Sequence, residues 1–269
     1  MPIWPIGGRD RGKSAGKDVV GSQESAGKRD LRRPGASQLP ILEFGNDRSV
    51  VLQPGKTVTV AQPMADICIV FDTTASMNEK IRGLIDCMAG FADDLAGMSL
   101  DWRLSVLPFG DLTVPGDRID AGLPFVASAA AARNQLRTMP RFAGGGNNGE
   151  SSIEALFSAI AKPWRPKAVR VVLLLTDEPA LGADRAEEVL SRLNSAEIVC
   201  FVASPNHDYF RSWAAETGGH WVRISQSMDT RAILKLLRGL VKDVAKAASD
   251  MHAIAGGSYQ KYLELTRGQ

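Results

Sequence analysis

Ile67-Cys68-Ile69-Val70-Phe71-Asp72-Thr73-Thr74-Ala75-Ser76-Met77 is an apolar run that breaks abruptly into a polar turn. Five consecutive apolar residues read as a strand buried on both faces, because a strand with one wet face alternates. From Glu79 to Leu95, Ile81, Leu84, Ile85, Met88 and Leu95 recur at helical spacing and form a core-facing stripe. Strand, polar turn and amphipathic helix together make the opening of a βαβ unit.

The same alternation continues to the end of the chain. Strand-like Leu104 to Phe109 is followed by helix-like Ser128 to Met139 and Ser151 to Ala161, then by strand Val169 to Thr176 and helix Asp184 to Leu193. Strand Ile198 to Ala203, a short helix near Tyr209 to Glu216, strand His220 to Ile224 and an amphipathic helix from about Thr230 to Ala248 complete it. Near-continuous apolar strands separated by helices imply a doubly wound α/β fold, with a mostly parallel sheet covered on both faces. Two β-like runs precede it, Ile41 to Phe44 and Ser49 to Val60, the second interrupted by Pro54-Gly55, and read as a small hairpin extension. The expected organisation is therefore a tail over 1–38, a hairpin over 39–64, the α/β domain over 65–250 and a C-terminal tail over 251–269.

Composition narrows the function. The chain has 269 residues, 44% of them hydrophobic, enough for a sizeable core. Its 32 Lys+Arg against 30 Asp+Glu leave a net charge of +2, too small a field to drive nucleic-acid or membrane binding. Aromatic residues are 6% and do not interleave with the basic clusters, so a base-stacking surface is not expected. The basicity belongs to residues 1–38, rich in Gly, Ser, Lys and Arg, which read as a disordered basic tail. No apolar stretch is long enough to span a bilayer, and the N-terminus lacks the pattern of a secretory signal. Cys68, Cys87 and Cys200 form no CxxC pair and read as buried free thiols, which with the preceding points sets the expectation of a cytoplasmic protein.

Within that tail, Gly7-Gly8-Arg9-Asp10-Arg11-Gly12-Lys13-Ser14 matches the phosphate-binding pattern GxxxxGK[ST] letter for letter. The match lacks a buried strand before it and a helix after it, so a solvated tail is the better reading. His207, His220 and His252 do not form HExxH, and no GxSxG elbow occurs, so the chain is expected not to be an enzyme. Glu150, at the start of a helix, reads as complementing the helix dipole. In the terminal helix, Arg231, Lys235, Arg238, Lys242 and Lys246 lie opposite an apolar face that is expected to close the sheet.

The strand ends carry the chemistry, since ligands of doubly wound sheets bind outside the carboxyl ends of the strands. Asp72, Thr74 and Ser76 follow the first core strand at spacing two, and Asp177 ends strand Val169 to Thr176. Between them runs the flexible loop Gly144-Gly145-Gly146-Asn147-Asn148-Gly149-Glu150, which offers amide oxygens. Carboxylate, hydroxyl and carboxamide oxygens suit Mg²⁺ or Mn²⁺, and no thiolate or imidazole competes for the site.

Asp72-Thr73-Thr74-Ala75-Ser76, the glycine-rich loop at 144–149 and Thr176-Asp177, in this order, resemble the metal-ion-dependent adhesion site, or MIDAS, of von Willebrand factor A domains. The resemblance covers roughly residues 65–250, and Phe109-Gly110-Asp111 is similar to a segment that follows the second strand in many relatives. It implies Asp72, Thr74 and Ser76 as first-loop ligands, Asn147 or Asn148 as the second-loop contact and Asp177 as the third-loop carboxylate. Ala75 stands where the family commonly has Gly, and an Asn stands where Thr or Asp is usual. The implied function is a protein-binding module that captures a partner's Asp or Glu on a Mg²⁺ or Mn²⁺ ion. The alternatives are a regulator or subunit of a separate ATPase machine and a scaffold whose site holds no metal. Leu52 to Val58 also resembles, over that short segment only, the opening strands of tellurite-resistance TerD-type domains.

Overall fold

The computed structural model describes residues 49–53, 56–59, 62–98, 100–146, 149–224, 230–253 and 255–267. The tail, its Gly7 to Ser14 motif, the Ile41 to Phe44 run, and both Asn147 and Asn148 lie outside the described residues. Strands β1 (Ser49–Gln53) and β2 (Lys56–Thr59) pair antiparallel as the hairpin read around Pro54-Gly55.

The central sheet holds β3 (Met64–Asp72), β4 (Asp101–Phe109), β5 (Val169–Leu175), β6 (Ile198–Ser204) and β7 (Trp221–Arg223), in the order β4-β3-β5-β6-β7. Every pairing in it is parallel. Parallel strands need crossovers, and the helices that provide them cover both faces of the sheet. One face packs on α1 (Asn78–Ala96), α2 (Ala129–Thr138) and α6 (Thr230–Ala253), and the other on α3 (Ser152–Ile160), α4 (Ala186–Ser195) and α5 (Asp208–Glu216). β3 shows why its sequence does not alternate: Ile67, Ile69 and Phe71 belong to the first core, Cys68 and Val70 to the second, and all five are fully buried.

After β3 the chain forms β4 on one side and then returns to form β5 on the other. The strand order therefore reverses between β3 and β5, and the register aligns their ends, with Phe71 opposite Leu175. Two crossovers diverging from this point leave a crevice at the carboxyl edge. The β4 edge is covered by the 110–128 segment, which bridges back at Leu104 to Val126 and at Phe109 to Ile119. Buried Gln135 of α2 pins this cover, its Oε1 accepting from Val106 N at 3.1 Å while its Nε2 donates to Pro124 O at 2.7 Å.

The C-terminal boundary moves. Residues after 250 were expected to be a tail, but α6 runs on to Ala253 and α7 (Tyr259–Arg267) inserts Tyr259, Tyr262 and Leu263 into the first core. Three large side chains on one face of α7 repeat too briefly for the periodicity to register in sequence, and their burial comes from the neighbours they meet. As expected, α6 turns Leu240, Val244, Ala248 and Met251 inward and leaves Arg231, Lys235, Arg238, Lys242 and Lys246 exposed. Cys68 and Cys200 are buried and Cys87 half-buried, all three as free thiols, and burial pushes the Cys68 thiol up to about 12.

Candidate functional site

β3 delivers Asp72 at its last position, and a 3-10 turn over Ala75–Met77 then leads into α1. The turn folds back on the carboxylate. Asp72 Oδ1 accepts from the Thr74 amide at 3.0 Å and from Thr74 Oγ1 at 2.6 Å. Thr74 Oγ1 lies 3.2 Å from Ser76 Oγ, which donates to Asp177 Oδ1 at 2.8 Å. On the other side Thr176 Oγ1 donates to Asp72 Oδ2 at 2.7 Å. Asp72, Thr74, Ser76 and Asp177, read separately from sequence, thus form one connected chain of oxygens across the switch point. Thr176 is a further member; its hydroxyl faces inward because β5 ends one residue earlier. Ala75 is exposed and lies inside the 3-10 turn, so the methyl group that replaces the usual Gly hydrogen meets solvent.

The glycine-rich loop is held against this turn by backbone. Phe142 N donates to Thr73 O at 3.0 Å, and Ala75 N donates to Ala143 O at 3.3 Å. Gly144 has φ +72°, and a Cβ there would lie 2.9 Å from Thr74 Cβ and 3.0 Å from Glu150 Oε1, so both its backbone and its space require glycine. Asp117 supports the loop from outside, accepting from the amides of Ala143, Gly144 and Asp111 at 2.9 to 3.1 Å. Sequence reading passed over Asp117, because it sits in an irregular segment whose partners are all backbone amides.

Glu150, read as complementing the dipole of α3, is only 3% exposed, and Glu154 is the acidic residue within that helix's first turn. A bridge to Ala180 fixes its backbone, with Glu150 N donating to Pro179 O and Leu181 N to Glu150 O, both at 2.9 Å. That pairing turns the side chain into the protein. Asp111 is also fully buried, its Oδ1 accepting from the amide and hydroxyl of Thr113. Asp111 Oδ2, Glu150 Oε2 and Ser152 Oγ are buried with no hydrogen-bond partner among the described residues.

The electrostatics follow from what is missing around these carboxylates. Among the described residues no Lys, Arg or His forms an ion pair with Asp72, Asp111 or Glu150. Burial pushes the Asp72 pKa up to about 7 against the hydrogen bonds from Thr74 and Thr176, and the Asp177 charge adds to the rise. Glu150 is pushed up to about 9, by burial first and then by the charges of Asp72 and Asp111, with Thr74 opposing and Glu178 adding. Carboxylates buried together without a counter-charge favour their protonated forms.

A test of fit for a hard divalent ion gives a mixed donor set. Among the described residues no three or more His, Cys, Asp or Glu side chains gather as a metal-holding group. The adjacent hydroxyls of Thr74 and Ser76, the carboxylates hydrogen-bonded to them and the orphaned Glu150 oxygen supply the all-oxygen chemistry that Mg²⁺ and Mn²⁺ prefer. Hydroxyls rather than a third carboxylate complete the set. The histidines stay apart, with His252 against the backbone of Met64, His220 paired with Asp243 and His207 stacked on Tyr209.

An open five-stranded parallel sheet with a reversal at β3/β5, and a DxTxS turn beside a glycine-rich loop, define a class of α/β domain. The model of the von Willebrand factor type A domain matches residues 66–235, and the chain belongs to that family. Two similar solved structures are proximal thread matrix protein 1 of the mussel byssus and a von Willebrand factor type A protein from Catenulispora acidiphila. The first is 20% identical with a TM-score of 0.50 and covers 66% of this chain and 45% of that one. The second is 18% identical with a TM-score of 0.50 and covers 69% and 43%. The aligned part is thus under half the length of either relative, and the likeness is one of fold. A search of curated proteins gave no match. Among the described residues no helix is long and apolar enough to cross a membrane.

Proposed function

We propose that this chain is a protein-binding module that uses Mg²⁺ or Mn²⁺ at the β3/β5 switch point to capture an acidic side chain of a partner. The observation that carries the reading is the continuous run of buried Asp72 and Thr74, half-buried Ser76 and buried Asp177 at a sheet reversal, where among the described residues no cationic side chain pairs with Asp72 or Glu150. Proteins of this family commonly mediate protein interactions.

Thr74, Ser76 and Asp177 are the residues that would hold the ion, with Asp72 behind them. Asp72 orients the Thr74 hydroxyl by accepting its proton, and Asp177 does the same for Ser76, which leaves the hydroxyl lone pairs to face a cation. Thr176 fixes the second oxygen of Asp72, so the carboxylate cannot swing away. Glu150, pushed up to about 9, holds its proton at neutral pH and would add negative charge from the loop side only once a cation displaces that proton. A bound divalent ion supplies an electrophilic position for an incoming carboxylate.

The test is thermal unfolding of the purified chain in EDTA, Mg²⁺ and Mn²⁺, since an ion that binds only the folded state raises the melting temperature by mass action. A metal-induced rise that Asp72→Ala and Asp177→Ala abolish is the expected result. The same rise in both variants would discard the site. Partner capture with and without EDTA, read by mass spectrometry, then tests the metal-bridged contact.

A further inference from the structure

A groove of about 460 Å³ lies between the first turns of α1 and the end of α2. Three arginines line it, Arg82 from α1, Arg137 from the last turn of α2 and Arg141 just beyond, over a floor of Ile81 and Ile85. Among the described residues Asp86 is the one carboxylate in the lining. Among the described residues none of the three arginines has a hydrogen-bond or ion-pair partner, whereas Arg103, Arg133, Arg165, Arg185, Arg192 and Arg211 all do. Three exposed guanidiniums against one carboxylate leave the described lining net positive, which favours an anionic ligand.

The groove abuts the candidate metal site through the chain itself. Asn78, which also lines it, begins α1 two residues after Ser76. Arg141 precedes Phe142, whose amide is bonded to the carbonyl of Thr73. The elements that carry the arginines are thus continuous in sequence with, or hydrogen-bonded to, the turn that carries Thr73 and Ser76. An apolar floor with positive walls suits a peptide, whose side chains mix both characters. A nucleic-acid strand fits less well, since among the described residues no aromatic ring lines the groove for stacking and Asp86 opposes a continuous phosphate backbone.

We propose that the Arg82, Arg137 and Arg141 groove is a second acidic subsite, receiving an Asp or Glu that flanks the residue captured at the metal. The partner is thereby a protein segment with clustered carboxylates rather than a single exposed one. This rests on the metal-capture reading, and the experiment separates the two. A short fluorescent oligoglutamate peptide is titrated with the full chain in Mg²⁺ and in EDTA, against wild type, Arg137→Ala/Arg141→Ala, and Arg192→Ala as a charge control on the opposite sheet face. The double variant is expected to lose about tenfold in affinity while keeping its metal-induced rise in melting temperature, and Arg192→Ala to match wild type. Equal affinity of the double variant and wild type overturns the subsite. An oligonucleotide that binds more tightly than the peptide through the same arginines overturns the proposed occupant. If EDTA leaves peptide affinity intact while the arginine effect persists, the groove stands and the metal-bridged contact falls.

Discussion

Asp66 and Asp72 sit near opposite ends of β3, both fully buried, and the protein treats them in opposite ways. Asp66 meets Arg103 Nη2 at 2.6 Å, Arg165 Nε at 2.8 Å and the Arg165 amide at 2.7 Å. Burial by itself raises its pKa, but the hydrogen bonds from Arg103 and the Arg165 amide and the two guanidinium charges outweigh that and hold it below the usual carboxylate range. Asp72 is given hydroxyls and one amide but, among the described residues, no cation, and burial wins. A carboxylate neutralised inside the fold is a structural tie between strands. One left without a counter-charge at a sheet reversal is an invitation to a ligand.

The largest effect is expected at the neutralised end. Asp66→Ala strands two guanidiniums that had shared one carboxylate, and urea unfolding should show a loss of about 3–5 kcal/mol, equal in EDTA and in Mg²⁺. At the other end, Asp72→Asn should leave the metal-free protein as stable as wild type at neutral pH or more so, since the isostere removes an unpaired charge. A large loss for Asp72→Asn in EDTA would erase the contrast.

Next in size is the glycine that lets the loop close. Gly144→Ala forces a left-handed backbone on an L-residue and drives a methyl group toward Thr74, and a loss of about 1–2 kcal/mol is expected, with a weakened metal response. Unaltered stability and metal response would show that the loop does not depend on that approach.

Acidity sharpens the contrast further, with opposite signs at the two ends. Asp66 has a lowered folded-state pKa, so its contribution is full above the unfolded value of 3.8 and is lost as pH falls through the folded value. Asp72, raised from 3.8 to about 7, and Glu150, raised from 4.5 to about 9, make the folded state hold more protons than the unfolded one. In EDTA, stability should therefore fall as pH rises from about 4 toward 9 through these two groups. Melting curves across that range test it, with Asp72→Asn expected to flatten the lower part and saturating Mg²⁺ to offset the decline. A metal-free profile identical in wild type and Asp72→Asn would contradict the assignment.

The smallest predicted difference separates two candidates for the second loop. Glu150→Gln should reduce the metal-induced rise in melting temperature more than Asn147→Ala, because a buried charge supports a cation more than a neutral amide does. The reverse order would restore the Asn as the working contact.

Much of this was legible before any coordinates. Ile67 to Phe71 announced a doubly buried strand because both faces of it are apolar, and the position of Asp72 at its end followed directly. Thr74, Ser76 and Asp177 were marked by residue type and order along the chain. Glu150 reads locally as a partner of the helix dipole, and its burial is visible only in the fold, where its backbone bridges to Ala180. Asp117 and the arginine groove left no local pattern, because their partners lie far along the chain.

The sequence by itself determined the alternation of strand and helix, the burial of β3 and the chemistry at its end, since these depend on local apolar runs and on residue identity. Tertiary structure alone decided which carboxylates are neutralised and which are not. That depends on strand order: β4 and the segment before β5 bring Arg103 and Arg165 to one end of β3, while the reversal at the other end opens a crevice that no cationic side chain is shown to enter. Sign and depth of burial are sums over neighbours distant in sequence, and no local pattern carries that sum.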